Sequence, residues 1–399
     1  MKNYLDQVLT CRSKDAIDAY DQAVDSQLHA WPGALAAIDL ALQHAPDFAL
    51  AHSARALILQ AYGRGTEARE ASKQAQSFKQ TTTERERSHV DIIQRIVEGQ
   101  STAALHSVRS HAEKWPLDAL VMSTALGAFG LIAFSGQADH DQQRYDFVQK
   151  LIPSYPNEHP WLLTHRGWVL IETKQPQAGL PFVAQSLALR PANGNAAHVM
   201  MHAQFELNKP AAGLDFANKW LTLYPENAML FGHVHWHAAL CEIELGRTEQ
   251  ALQRLLNTIE PHLAHAPPLV GMTDTTSLLW RLNMQGLQDL SWAATERFAK
   301  ENYSKGGNVF AELHLAMLAF ATEQNEDLQA CRVRLQKHAD SGHGGAPSAL
   351  HWVEGLAALR KHDRITARHA FTQCAEKSVG LGGSHAQRTV IQRTLTALR

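Results

Sequence analysis

The sequence predicts an all-α protein, an α-solenoid of repeated helix pairs wound into a superhelix with a concave lumen. The first observation is a repeat, because Pro156, Pro191, Pro225 and Pro261 follow one another at intervals of 35, 34 and 36 residues. A period of about 34 residues is typical of tetratricopeptide arrays, so the helix pairs are tetratricopeptide-like. The second observation is that small residues recur where the paired helices would cross. The third is that no segment shows the alternating pattern of a strand.

Small residues mark the helix crossings in the N-terminal part of the chain. Ala34 and Ala41 take the small positions around the larger Ile38, and Ala68 and Ala75 occupy the same offsets in the next helix pair. Small side chains are needed there because a bulky one would hold the two helices of a pair apart. The pattern predicts two helix pairs before residue 80.

The pattern is weaker between about residues 81 and 145, where we expect less regular helices. Thr81 or Thr83 could cap a helix in this region, since acidic residues follow in its first turn. The polar run 140–144 is interpreted as a loop or a helix end. Gly167 then restarts the repeat pattern.

The C-terminal part repeats the crossing pattern at Gly355 and Phe371. Glycine-rich breakers at 306–308 and 341–345 predict loops between helix pairs. A terminal helix is expected over about 384–399, beginning at an S-x-x-Q capping box. We interpret 1–399 as one solenoid, because in such arrays each repeat buries its apolar face only against its neighbours.

The composition restricts the partners that we expect. The 399 residues are 45% hydrophobic and 19% charged, with a formal charge of −2 and a pI of 6.9, so nucleic-acid binding is not expected. No run of 18 apolar residues and no signal peptide is recognised, which predicts no membrane partner. The four cysteines are scattered and form no metal or disulfide motif, which favours the reducing cytoplasm.

Two HxxxH pairs stand out among the 23 histidines, His198 with His202 and His233 with His237. Residues four apart share one helical face, and the pairs begin 35 residues apart, which is close to one repeat. We therefore expect the pairs side by side on the concave wall, on the first helices of adjacent repeats. They are candidate metal ligands, because neutral imidazoles bind divalent transition metals. Alternatively, they bond to backbone or water, as other polar residues on concave faces do.

Further candidates lie on the predicted first helices and at the start of the last helix. Ligand-binding candidates besides His198 are His165, Trp168, Trp236, Trp280, Arg281, Glu312, His314 and Arg388, and candidates for catalysis are His233, His237, Asp274 and His385. Asp274 and Arg281 share one helical face. They either pair with each other or leave Arg281 free to clamp a carboxylate.

Several unusual motifs occur in the same order as in a known family. From PDFALAH near the N-terminus to GGSHAQR near the end, the chain resembles the tetratricopeptide repeat protein 38 family. The positions that match its pattern are His233, Trp236, His237, Asp274, Trp280, Arg281, Ser384, His385, Gln387 and Arg388. The resemblance implies a helical repeat protein with a lumen site and no settled activity. At the first histidine helix the family pattern resembles H-x-x-H-V-x-E-M, where this chain has Asn195, Met201 and His202.

Three functions are compatible with these observations. The favoured one is a polar concave pocket that binds, and could transform, a small molecule. The alternatives are an adaptor that holds a partner's peptide on the concave face, and a metal-dependent enzyme that uses the helical histidines. No cofactor is identified, and a divalent metal is not favoured over a small molecule. The sequence specifies no oligomeric state, although exposed helices at either end would allow a dimer.

Overall fold

The computed structural model describes residues 1–398, and regular structure in them is helical apart from an isolated bridge between Lys2 and Val8. The N-terminal half contains α1 (Lys14–Leu28), α2 (Ala34–His44), α3 (Ala49–Ala61), α4 (Gly65–Phe78), α5 (Glu84–Val97), α6 (Ser101–Lys114), α7 (Ala119–Ala125), α8 (His140–Leu151), α9 (Pro160–Glu172), α10 (Pro176–Leu189) and α11 (Gly194–Glu206). The C-terminal half contains α12 (Pro210–Trp220), α13 (Phe231–Glu244), α14 (Thr248–Arg254), α15 (Glu260–His262), α16 (Pro268–Met284), α17 (Ala293–Tyr303), α18 (Val309–Ala321), α19 (Asn325–Asp340), α20 (Ala346–Arg360), α21 (Arg364–Glu376) and α22 (His385–Ala397). The all-α prediction is confirmed.

The helices are arranged as a solenoid. Successive helices pack as pairs, and the first helix of each pair also packs on the first helix of the next, in the order α9, α11, α13, α16, α18 and α20. The glycine-rich segments 306–308 and 341–345 lie between pairs, as the sequence predicts. Thr83, and not Thr81, caps α5 through a capping box with Glu86. The predicted box of Ser384 caps α22.

The small residues lie where the helices of a pair approach most closely. A Cβ atom added to Gly167 of α9 would lie 2.4 Å from Val183 Cγ2, and one added to Gly179 of α10 would lie 2.7 Å from the Gly167 carbonyl oxygen. At Gly355 an added Cβ would lie 2.5 Å from the Phe371 ring. These contacts leave no room for a side chain, which explains the crossing pattern of the sequence.

The segment 126–139 between α7 and α8 has no regular helix, and its residues 126–136 are buried or half-buried. Its Phe129 ring lies 6.4 Å from His233 of α13 and 6.5 Å from Phe310 of α18, measured between ring centroids. Both partners are on first helices, which form the inner wall of the solenoid. The segment therefore lies within the concave face of the solenoid. For this part of the chain the sequence predicted only less regular helices.

The solenoid closes on itself around this segment. His140, at the start of α8, places Nε2 3.0 Å from the carbonyl oxygen of Val379. Asp141 lies 3.6 Å from the guanidinium of Arg388 in α22. The run 140–144 thus begins α8 and joins it to the C-terminal region, which brings distant parts of the solenoid into contact.

A buried charge cluster joins the third helix pair, α5 and α6, to the start of α7. Asp118 Oδ2 accepts a hydrogen bond from Arg85 Nη1 at 2.9 Å and lies 3.0 Å from His89 Nδ1 and 3.3 Å from His111 Nε2. Burial alone would raise the pKa of Asp118, but His89, His111 and Arg85 hold it well below its usual value. This carboxylate is therefore ionised and joins α5 and α6 to the start of α7.

None of the helices in residues 1–398 combines the length and the apolar composition that a bilayer crossing requires.

Candidate metal centre

Four buried histidines meet on the inner wall, where α11 packs on α13. His198 and His202 come from α11, and His233 and His237 come from the equivalent turns of α13. The ring centroids lie 4.6 Å apart within the α11 pair, 4.9 Å apart within the α13 pair, and 4.6 and 4.5 Å apart between the helices. The rings thus form the corners of a quadrilateral. Helical spacing and the repeat period together produce this arrangement.

One nitrogen of each ring points toward a common centre. The four candidate ligand atoms all lie within 4.8 Å of one another. His198 Nε2 is 2.9 Å from His202 Nε2 and 3.0 Å from His233 Nε2, whereas His237 Nε2 has no hydrogen-bond partner. A single N–H on His198 cannot satisfy both of its neighbours. Lone pairs of the ring nitrogens therefore point toward one another with too few hydrogens for a hydrogen bond in every contact. A cation at the centre would bind all of these lone pairs.

Two carboxylates lie behind the histidines. Asp274 of α16 accepts a hydrogen bond of 2.7 Å from His233 Nδ1, which leaves the lone pair of the neutral ring on Nε2. Glu172 of α9 places Oε1 3.4 Å from His202 Nδ1, within ion-pair distance but without hydrogen-bond alignment. Metal-ligating histidines commonly have such a carboxylate at the second nitrogen.

Burial favours the uncharged form of three rings of the cluster, those of His198, His202 and His237. His198 is 8% exposed, and His202, His233 and His237 are 1–2% exposed. Burial, and then the neighbouring histidines, hold the pKa values of His198 and His237 well below the usual value. Burial also lowers the pKa of His202, although Glu172 opposes this shift. Neutral imidazole is the form that binds a metal ion.

The pKa values of the two carboxylates shift in opposite directions. Burial raises the pKa of Asp274, with the charge of His233 opposing it. Burial would also raise the pKa of Glu172, but the nearby ring of His202 brings it below the usual value. Glu172 also accepts a hydrogen bond of 3.0 Å from the backbone N–H of His385, at the N-terminus of α22. It thus joins the cluster to the last helix.

Aromatic rings enclose the cluster. The Trp236 ring stacks on His233 at 5.4 Å with an interplanar angle of 7°, and its Nε1 donates a hydrogen bond of 3.1 Å to Ser277. Trp168 lies edge-on to His202 at 4.7 Å, and Phe129 covers the His233 side. These rings limit the movement of the imidazoles and restrict access to them.

Arg281 is buried with its guanidinium 5.6 Å from the Trp236 ring that stacks on His233, and it makes no ion pair within residues 1–398. Its Nη1 donates to the Ser277 carbonyl at 3.2 Å, and its Nη2 donates to the Ala386 carbonyl at 3.0 Å. Burial lowers its pKa to about 9, with Asp274 opposing the shift. Arg281 therefore does not pair directly with Asp274, and it attaches α22 to α16 while leaving its positive charge near the centre.

His385 and Arg388 lie at the start of α22, outside the quadrilateral. His385 Nδ1 is 2.7 Å from Glu206 Oε1, which raises the pKa of this half-exposed histidine. Arg388 donates a hydrogen bond of 2.6 Å to the Gly383 carbonyl. His385 thus approaches the centre through Glu172, whereas Arg388 holds the glycine turn before α22.

Four other sequence candidates lie away from the cluster. Trp280 packs in the C-terminal core and donates a hydrogen bond of 2.9 Å to Thr394. Glu312 pairs with Arg334 at 2.8 Å. His314 places Nδ1 2.8 Å from the Phe310 carbonyl. Each therefore has a structural partner, while the fourth candidate, His165, packs against Trp161 at 4.9 Å.

Sequence reasoning missed three residues that contact the cluster or its neighbours. Glu172 lies one turn beyond Trp168 on α9, and Glu206 lies one turn beyond His202 on α11, so the four-residue helical spacing could have identified both. Phe129 belongs to the irregular segment 126–139, and no spacing rule indicates its position.

Three surface clefts lie apart from the cluster. Their volumes are about 480, 610 and 520 Å³, and they are lined respectively by residues that include His235, Arg360 and Trp115. None of the four clustered histidines lines any of them. His235 points away from the cluster and contacts Arg254 at 2.8 Å, as expected for a packing or surface residue.

Comparisons with known proteins give one similarity of fold. No protein-family model matches the chain. Among solved structures, the human IFIT1 dimer with PPP-AAAA is similar over 98% of this chain and 87% of that chain, at 12% identity and a TM-score of 0.44. The helical-repeat fold is established by the helices and contacts of the chain itself, and the absence of nucleic-acid binding stays a prediction.

Proposed function

We propose that this protein binds one divalent transition-metal ion on His198, His202, His233 and His237. The observation that carries the proposal is the convergence of four buried imidazole nitrogens within 4.8 Å. Imidazole nitrogens suit Zn²⁺, Cu²⁺, Ni²⁺ and Fe²⁺. Mg²⁺ and Ca²⁺ prefer oxygen ligands, which the four histidines do not provide.

The charges around the centre support a divalent ion. Four neutral imidazoles add no charge of their own, so the ion must be balanced from behind the rings. Asp274 and Glu172 lie there, at 2.7 Å from His233 and 3.4 Å from His202. Two buried carboxylates and one divalent cation balance each other, and the buried ion then has the counter-charges that it needs.

The cluster is also organised before an ion arrives. Each histidine pair stands on a regular helix, and the crossing of α11 on α13 sets the distance between the pairs. The stacked Trp236 ring restricts His233, and the edge of Trp168 restricts His202. Such support lowers the entropy cost of assembling a site from four mobile side chains.

The small molecule favoured by the sequence enters the proposal as a ligand of the bound ion. A peptide on the concave face is less well supported, since segment 126–139 lies there and places Phe129 between His233 and Phe310.

We also propose membership of the tetratricopeptide repeat protein 38 family. It is supported by the contact between His233 and Asp274, two of the matching positions.

Metal binding can be tested on the full chain without a histidine tag. The protein is stripped with a chelator and titrated with Zn²⁺, Ni²⁺ and Mg²⁺ by calorimetry, with metal content measured after dialysis. We expect one Zn²⁺ or Ni²⁺ per chain and no stoichiometric Mg²⁺. A protein that retains neither Zn²⁺ nor Ni²⁺ would contradict the proposal, whether or not it retains Mg²⁺.

Asp274→Asn is expected to lower Zn²⁺ affinity by about 10–100-fold, because carboxylates behind a ligating histidine orient it and raise its basicity. Calorimetric titration measures the effect. Glu312→Gln is the matched control, since Glu312 is a buried carboxylate on another first helix that pairs with Arg334. Equal Zn²⁺ affinities for the two variants would show that Asp274 does not support the centre.

A further inference from the structure

The four histidines form a quadrilateral around the proposed ion on the inner wall of the solenoid. All of them stand on α11 and α13, and their ring centroids form a quadrilateral with sides of 4.5–4.9 Å. Four ligands at the corners of such a quadrilateral leave the positions above and below it without a protein ligand. A closed structural zinc site, by contrast, surrounds its ion with four tetrahedral ligands.

The distances between ligand atoms agree with an open centre. With metal–nitrogen bonds of ~2.1 Å, neighbouring ligand atoms lie ~3.4 Å apart in a tetrahedron but ~3.0 Å apart in a square or octahedral arrangement. The Nε2 atom of His198 lies 2.9 Å from that of His202 and 3.0 Å from that of His233. The atoms thus match neighbouring corners of a square.

We propose that the metal centre keeps an open coordination position toward the lumen, where a small anion of a few atoms binds the ion. This inference rests on the proposed function, since it requires the metal. The ligand must be small because the histidines are at most 8% exposed and Phe129 lies 6.4 Å from His233. The unpaired charge of Arg281 favours an anion over a cation.

Phe129 determines the size of the ligand that can enter. It belongs to segment 126–139, whereas the histidines belong to helices of the wall, so its ring is a separate cover over the centre. Phe134 lies in the same segment and contacts Phe129 and Phe310 at centroid distances of 5.9 Å in each case. Phe134 makes no ring contact with the four histidines, which makes it a matched control.

The Cu²⁺-loaded full chain can be titrated with azide and followed by absorption and electron paramagnetic resonance. We first require one ion per chain, because failure at that step contradicts the proposed function itself. With the ion bound, we expect a saturable azide-to-copper absorption band and a changed resonance spectrum. Stoichiometric copper whose spectra do not respond to azide would overturn the open position and leave metal binding intact.

Phe129→Ala tests the cover with a bulkier probe. Imidazole should bind the copper centre of this variant at least ~10-fold more tightly than the copper centre of the unmodified chain. An excess of about one methylene group in a fitted pocket has an effect of this size. Azide affinity should change by less than about threefold, because azide already fits. Phe134→Ala should leave both affinities unchanged. Equal imidazole affinities for the two variants would show that Phe129 does not cover the centre.

Discussion

His237→Ala is expected to reduce the affinity for Zn²⁺ by at least ~100-fold, since losing a partner behind a ligand already costs 10–100-fold. The stability of the metal-free protein should change much less than the stability of the Zn²⁺-bound protein. Truncating a buried side chain costs ~2–5 kcal/mol of stability. The buried His237 Nε2 has no hydrogen-bond partner, so removing this unsatisfied polar atom offsets ~1–3 kcal/mol of that loss. Thermal melting with and without Zn²⁺ measures both effects.

His235→Ala is the control for this prediction. His235 lies on the same helix but contacts Arg254, on the side away from the cluster. At a free Zn²⁺ concentration of about 1,000 times Kd, binding should stabilise the unmodified chain and His235→Ala by ~4 kcal/mol, and His237→Ala by far less. If Zn²⁺ raised the melting temperature of all three proteins equally, His237 would not be a ligand.

The histidine quadrilateral could be predicted because two periodicities define it. The four-residue spacing places His198 above His202, and the repeat of about 34 residues places His233 in the corresponding position on the next first helix. Both rules depend only on local helix geometry and on identical stacking of neighbouring repeats. The structure places the two pairs side by side on α11 and α13.

The partners of these histidines could not be predicted in the same way. Spacing put Asp274 and Arg281 on one face of α16, yet Asp274 bonds His233, 41 residues earlier in the chain. That contact depends on the register between α13 and α16, which spacing along one helix does not contain. Segment 126–139 is a similar case, since its burial depends on the width of a lumen formed by all the repeats.

Asp118→Asn is expected to lower the free energy of unfolding at neutral pH by about 3–5 kcal/mol, because removing one partner of a buried ion pair leaves the other charge uncompensated. Arg85 would lose the carboxylate that lies 2.9 Å from its Nη1, while remaining only 7% exposed. Asp118 is also the shared partner of His89 and His111. Urea unfolding of the metal-free chain measures the loss.

The pH dependence has a defined sign. The folded-state pKa of Asp118 is depressed, so its contribution is complete above the unfolded-state pKa of ~3.9 and is lost as the pH falls through the folded-state value. The difference in the free energy of unfolding between Asp118→Asn and the unmodified chain should therefore become smaller only below about pH 4.

Asp215→Asn is the surface control for the Asp118 prediction. Asp215 pairs with Lys219 across one helical turn, and its side chain is 61% exposed. Such exposed pairs contribute about 0–1 kcal/mol, so this variant should unfold almost like the unmodified chain. Zn²⁺ affinity should be unchanged in both variants, because Asp118 contacts none of the four clustered histidines. Similar small losses of stability for both variants would show that the Asp118 cluster does not hold α5 and α6 to the start of α7.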